Sequence, residues 1–256
     1  MRVTRSFIPN MFTLANLFSG FSAIIFISKN HFETAVAFVV LAALFDLLDG
    51  LVARLVKATS ELGAELDSLC DAVSFGVAPA YLLYQMYFNE FGQIGILISS
   101  LPALTGALRL ARFNVMLVSF EDKDYFTGLP IPSAALTIIS YLMFIHTNPE
   151  IDSNIKDILI YSVTIIVSLL MVSRIKFDNI PKLNRRTLRK RPIVTIIFYI
   201  GLLVIIFSKG QFLFYGMILY IVFTVIREVI IWFKHINEIE EDFDEGDEFD
   251  SREYDL

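Results

Sequence analysis

The chain is 256 residues long, 55% of them hydrophobic, with a mean hydropathy of +0.63. That composition excludes a water-soluble domain, and a single cysteine, Cys70, excludes an internal disulfide framework. The formal net charge of −6 misleads: residues 238–256 hold eleven acids and one arginine, so −10 sits in that tail and +4 in the rest.

Apolar runs long enough to cross hydrocarbon, roughly 17–25 residues each, recur along the whole chain. The pattern predicts an all-α polytopic membrane bundle of about eight transmembrane helices, near 10–28, 33–55, 66–88, 92–114, 130–146, 155–173, 192–208 and 211–233. The first run follows two arginines but precedes no small-residue cleavage site, so it is expected to remain in the mature protein. On it, Asn10, Thr13 and Asn16 stand at helical spacing. They read either as hydrogen-bonding groups for a ligand or as caps and bonds between helices.

The second and third runs carry acids where acids are expensive. Asp46, Asp49, Gly50 and Ala53 share a face of one helix at about 100° per residue, and Asp67 and Asp71, four apart, share a face of the next. If the two helices pack antiparallel across the short loop, the four carboxylates converge, and Gly50, Ala53 and Gly63 permit close approach of backbone or ligand. Such a group calls for a bound cation. An all-oxygen donor set without a His or Cys cluster suits Mg²⁺, Mn²⁺ or Ca²⁺ and disfavours zinc. This much carboxylate suits two ions, an arrangement that clamps phosphoryl groups during in-line displacement. Arg54, one turn beyond Gly50, is placed to meet a phosphate. The bland reading makes the same acids structural ion pairs with Arg54, Lys57, Arg109 and Arg112.

Further along, Pro130 and Pro132 are expected to set the start of the fifth helix. The segment KFDNIPKLNRRTLRKRP from Lys176 is polybasic and adjoins the membrane, a topology determinant and an attraction for anionic lipid. Trp232 beside Lys234 reads as an interfacial anchor. Residues 1–237 are expected to form one membrane domain and 238–256 an acidic disordered tail. His31, His146 and His235 are isolated and receive no chemistry.

Basic residues fall in alternate loops. Arg2, Arg5, Arg54, Lys57, Arg109, Arg112, Lys123, Arg174 and the cluster at 176–191 lie on one side with Arg227 and Lys234, against Lys29, Lys156 and Lys209 on the other. The positive-inside rule then places both termini, and the aspartates, at the cytoplasmic face of the cell membrane.

The segment from Asp46 resembles the CDP-alcohol phosphotransferases. Their signature, D-x-x-D-G-x-x-A-R, eight residues, then G-x-x-x-D-x-x-x-D, is matched at Asp46, Asp49, Gly50, Ala53, Arg54, Gly63, Asp67 and Asp71. The flanks IPNMFTLANLFSGFSAI from Ile8, SFGVAPA from Ser74, RLARFNV from Arg109 and GLPIPSAA from Gly128 are similar to the branch of that family whose acceptor is serine. The resemblance covers residues 8–140 well and the last three helices only in general character.

It implies a divalent-metal enzyme, using Mg²⁺ or Mn²⁺ and two ions, that works on CDP-diacylglycerol and L-serine in the lipid bilayer, as a homodimer and with no nucleic-acid partner. Asp46, Asp49 and Asp67 would be metal ligands, with Asp71 close to the metals and acting as general base. Gly50, Ala53, Arg54 and Gly63, joined by Asn10 and Thr13, would hold the CDP moiety and its pyrophosphate. Arg109 and Arg112 are the candidates for the serine carboxylate, with Asn114 and Ser74 behind them. Two other readings stay open: the same chemistry with glycerol 3-phosphate or inositol phosphate as acceptor, or a divalent-cation transporter.

Overall fold

A computed structural model describes residues 7–56, 61–117, 125–178, 207–208 and 210–253. Its described part is mostly helical. Helix α1 spans Phe7–Ser28 and α2 spans Phe32–Val56. The turn between them has Asn30 at φ 59°, a conformation that Asn tolerates better than most side chains. There the Asn30 and His31 amides donate to the Ile27 and Phe26 carbonyls, closing the end of α1.

Helix α1 is polar inside and apolar outside, the arrangement that lipid demands. Pro9, Thr13, Asn16, Gly20, Ala23 and Ile27 are buried, at steps of three and four residues, while Met11, Leu14, Phe18 and Phe21 face outward. Its hydroxyls bond within the helix: Ser19 donates to Ala15 O and Ser22 to Phe18 O, each at 2.8 Å. Along α2, Ala35, Val39, Ala42 and Asp49 form the matching buried stripe, so small side chains let α1 and α2 approach closely.

Helices α3 (Glu61–Asp71) and α4 (Ala78–Met86) are joined through a π-helical segment, Ala72–Val77. Together they make one apolar path, Glu61–Met86, long enough to cross a membrane. The wider turn lets Ser74 meet α1 directly: its Oγ donates to the Asn16 carbonyl at 3.1 Å. Gly20 lies against the same residue, and a Cβ there would come within 2.7 Å of Ser74 Cα. After a 3₁₀ turn at Phe88–Phe91, α5 covers Gly92–Leu117 and packs on the π-helical segment and on α7.

Helix α6 (Ile131–Ser140) starts at Pro130 and continues into a second π-helical segment, Tyr141–His146. The expected proline start is found here. Ile131, Ala134, Ala135, Ile138, Ile139, Tyr141 and Leu142 are all buried. This element, Ile131–His146, is apolar but shorter than the helices long enough to cross a membrane. Helix α7 (Ser153–Val172) begins with Asp152, whose Oδ1 accepts from the Asn154 amide at 2.8 Å.

A short antiparallel ribbon departs from the all-helical expectation. Strand β1 (Tyr125–Thr127) pairs with β2 (Lys176–Asp178), with Phe126 opposite Phe177. It fastens the entry of α6 to the exit of α7, where Gly128, at φ 80°, lies against the Met171 carbonyl and its amide donates to Ile175 O at 2.9 Å.

Helix α8 runs from Leu213 to Glu253. Composition suggests an end near 233 and a disordered tail, yet the described backbone stays helical almost to the terminus. A helix already nucleated in its apolar part extends at one hydrogen bond per added residue. By contact, residues 1–217 form one compact unit and 218–256 another; every aspartate of the signature is in the first. Among the described residues, six helices are long and apolar enough to cross a membrane: Phe7–Ser28, Phe32–Val56, Glu61–Met86, Phe88–Val115, Ser153–Val172 and Leu213–Phe233. The predicted span at 192–208 lies outside the described residues apart from 207 and 208.

Replacing Gly20 by Ala forces α1 away from Ser74. The thermal midpoint of the detergent-purified protein is expected to fall by several degrees, about 1–3 kcal/mol of lost stability. An unchanged midpoint would mean that the contact is slack.

Candidate active site

The signature aspartates sit where two helices meet. Asp46 and Asp49 occupy successive turns near the end of α2, and Asp67 and Asp71 successive turns of α3. Among the described residues, Asp46, Asp49 and Asp67 each offer an oxygen within 4.8 Å of the others. Two unit charges at that separation repel by roughly 3 kcal/mol in an effective dielectric of about 20. Asp49 is buried, and its Oδ2, like Oδ1 of Asp67, has no hydrogen-bond partner among the described residues. Three crowded carboxylates with buried, unpaired oxygens are a donor set that fits a hard divalent cation.

Asp71 lies outside that set of three but close enough for the charges of Asp46, Asp67 and Asp49 to act on it. It is as buried as Asp49, and its Oδ1 accepts from Asn16 Nδ2 at 3.1 Å. Spacing along α3 makes Asp67 and Asp71 alike; the neighbour on α1 separates them. Thr13, one turn before Asn16, donates to the Pro9 carbonyl at 3.2 Å and also interacts with Asp49. Helix α1 therefore contributes to both carboxylate groups. Asn10 lies one turn earlier, half-buried.

The residues around the acids divide by exposure. Gly50 has nothing within 4 Å of where a Cβ would be, so open space borders the helix beside Asp49. Ala53 and Gly63 are half-buried and Arg54, in the last turn of α2, is exposed. An exposed guanidinium beside open space can reach a phosphate that enters there.

The four candidates for serine differ in their partners. Arg109 is buried on α5. Arg112 Nη1 donates to the Val172 carbonyl at 3.1 Å, which satisfies the last turn of α7. Asn114 ties α5 to α3, accepting from Ser68 Oγ at 3.1 Å and donating to Glu65 Oε2 at 3.3 Å. Ser74 is committed to the Asn16 carbonyl. Ser68 and Glu65 carry no signal in the signature: Ser68 lies about one turn before Asp71, and Glu65 lies two residues before Asp67, on the other side of α3.

The family profile described as CDP-alcohol phosphatidyltransferase matches residues 6–172, from α1 through α7. The chain belongs to that family. Its members include relatives along most of this length. A Helicobacter pylori protein named CDP-diacylglycerol–serine O-phosphatidyltransferase is 32% identical over 228 residues, 89% of this chain and 93% of its own. A Bacillus subtilis protein of the same name is 36% identical over 177 residues, 69% of this chain and 93% of that one. The archaetidylserine synthase of Methanothermobacter thermautotrophicus is 36% identical over 182 residues, 70% of this chain and 73% of that one. Membership gives the crowded triad a chemical context, phosphoryl transfer, that the acids alone leave open.

Substituting Asn for Asp67 removes one charge from the triad without changing its shape. Mn²⁺ affinity, followed by thermal stabilisation or by the EPR signal of the free ion, is expected to drop at least about tenfold. Undiminished affinity would move the ion elsewhere.

Proposed function

We propose that this protein transfers the phosphatidyl group of CDP-diacylglycerol to the hydroxyl of L-serine, forming phosphatidylserine and releasing CMP. The observation that carries it is the division of four signature aspartates into a crowded triad, Asp46, Asp49 and Asp67, and a separately held Asp71. The names of the relatives above support serine as the acceptor.

The triad would hold the divalent ions, Mg²⁺ or Mn²⁺ and two in number; when bound, they supply positive charge to the pyrophosphate and its leaving group. Arg54 pairs with a phosphate oxygen, and the space beside Gly50 admits the CDP moiety, flanked by Ala53 and Gly63, with Asn10 and Thr13 on the side of α1. Asp71 accepts the proton of the serine hydroxyl on a carboxylate oxygen. The serine oxygen forms a bond to the lipid-side phosphorus as the bond from that phosphorus to CMP breaks. A carboxylate base without a Ser–His or Cys–His pair in the signature favours this single displacement over a covalent phosphatidyl-enzyme. Arg109 and Arg112 hold the serine carboxylate, with Asn114 and Ser74 at the margin of that pocket. Residues 1–237 act as the membrane domain in the cell membrane, with the active site and both termini in the cytoplasm; residues 238–256 are an acidic appendage, and the working unit is a homodimer.

Purified protein given CDP-diacylglycerol and Mn²⁺ should release CMP with L-serine and much less with glycerol 3-phosphate or inositol phosphate. Release that follows a phosphorylated acceptor instead would reassign the acceptor. Asp71→Asn should lower kcat by about 10²–10⁴; a kcat within threefold of the unmodified protein excludes Asp71 as base. Arg109→Gln and Arg112→Gln should raise the serine KM about tenfold and leave the CDP-diacylglycerol KM in place, and an unmoved serine KM takes either arginine out of the pocket.

A further inference from the structure

The side chain of Asn16 is fully buried, and its two polar atoms are unequally served. Nδ2 donates to Asp71 Oδ1 at 3.1 Å, whereas Oδ1 has no hydrogen-bond partner among the described residues. Turning the amide over would set its oxygen against the carboxylate, oxygen to oxygen, so the bond to Asp71 determines the amide's orientation. A buried amide acceptor left unpaired weakens the fold. A residue serving only to pack α1 would be better as an apolar group of the same shape.

The backbone of Asn16 is held as tightly as its side chain. Its carbonyl accepts from Ser74 Oγ at 3.1 Å, and Ser74 follows Asp71 by three residues, in the π-helical turn. Gly20, one turn beyond Asn16, lets Ser74 sit against α1. One residue of α1 thus grips the chain both at Asp71 and just after it.

We propose that Asn16 is the positioning residue of Asp71: its amide occupies Oδ1, locks the carboxylate rotamer, and leaves Oδ2 as the one oxygen offered to the acceptor hydroxyl. The amide neither gives nor takes a proton; it selects which carboxylate oxygen does. This rests on the reading of Asp71 as base, but not on serine as the acceptor. It also gives Ser74, beside the place proposed for it at the margin of the serine pocket, the part of holding Asn16.

The test is a double-substitution cycle on the full chain, with kcat measured for whichever acceptor the unmodified protein uses. Asn16→Leu keeps the shape and removes both polar atoms. Alone, it should lower kcat about 10- to 100-fold, as misplacement of a reacting group does. The KM of each substrate and the affinity for Mn²⁺ should stay within about twofold, and the thermal midpoint should not fall. In an Asp71→Asn background the same substitution should lower kcat by less than about twofold, because a residue acting through Asp71 has nothing left to position. Asn16→Ala, read in the same cycle, serves if Asn16→Leu does not purify. Equal losses in both backgrounds, or a tenfold rise in a KM with kcat unchanged, would overturn the proposal. If Asp71→Asn alone leaves kcat intact, the failure lies in the reading of Asp71 as base instead.

Discussion

Mutual repulsion among crowded carboxylates is the constraint on which the rest of this molecule depends. Asp46, Asp49 and Asp67 converge within 4.8 Å in the midst of apolar helices. Left to themselves they would push α2 and α3 apart, since no carboxylate oxygen neutralises another. The arrangement is sensible as a cation-binding group and hard to account for otherwise. It also explains why the helices around it are tied together so firmly: the protein must present three like charges on two separate helices without letting either helix move.

The tying is done mostly by small and polar residues rather than by large apolar ones. In lipid, apolar side chains gain little by meeting each other, so close backbone approach and interhelical hydrogen bonds take over. Helix α1 shows this directly, with Thr13, Asn16 and Gly20 turned inward and Phe18 and Phe21 outward. Asn114 does the same between α5 and α3, and Arg112 between α5 and the end of α7. Helix α6, buried on nearly every side, is the apolar filling against which these tied elements rest. The ribbon of β1 and β2 then closes the loop side of α6 and α7.

The path from sequence to site was short for some residues and absent for others. Asp46 and Asp49 on one helix face, and Asp67 and Asp71 on another, follow from helical period alone. Their convergence needed only a short connection between the two helices. Spans α1, α2, α5 and α7 were legible for an equally local reason, the length of an apolar run. The shortness of α6 was less so, because an apolar stretch in a buried core reads like one in lipid. Nothing local marked Tyr125–Thr127 and Lys176–Asp178 as strands, since each is three residues long and its partner is about fifty residues away. Arg112 was legible as a cation near the acids, but its bond to the Val172 carbonyl was not, because that partner belongs to a helix sixty residues on.

By itself the sequence determined the membrane character, the helical class and the acids that define the family, all properties set by composition or by spacing along one helix. Tertiary structure decided how those acids divide. Asp67 and Asp71 are equivalent in spacing and in chemistry, one turn apart on the same face. Only the packing of α1 against α3 places Asn16 beside one and leaves the other with Asp46 and Asp49. That contact joins residues 55 positions apart, and no periodicity in the chain encodes it.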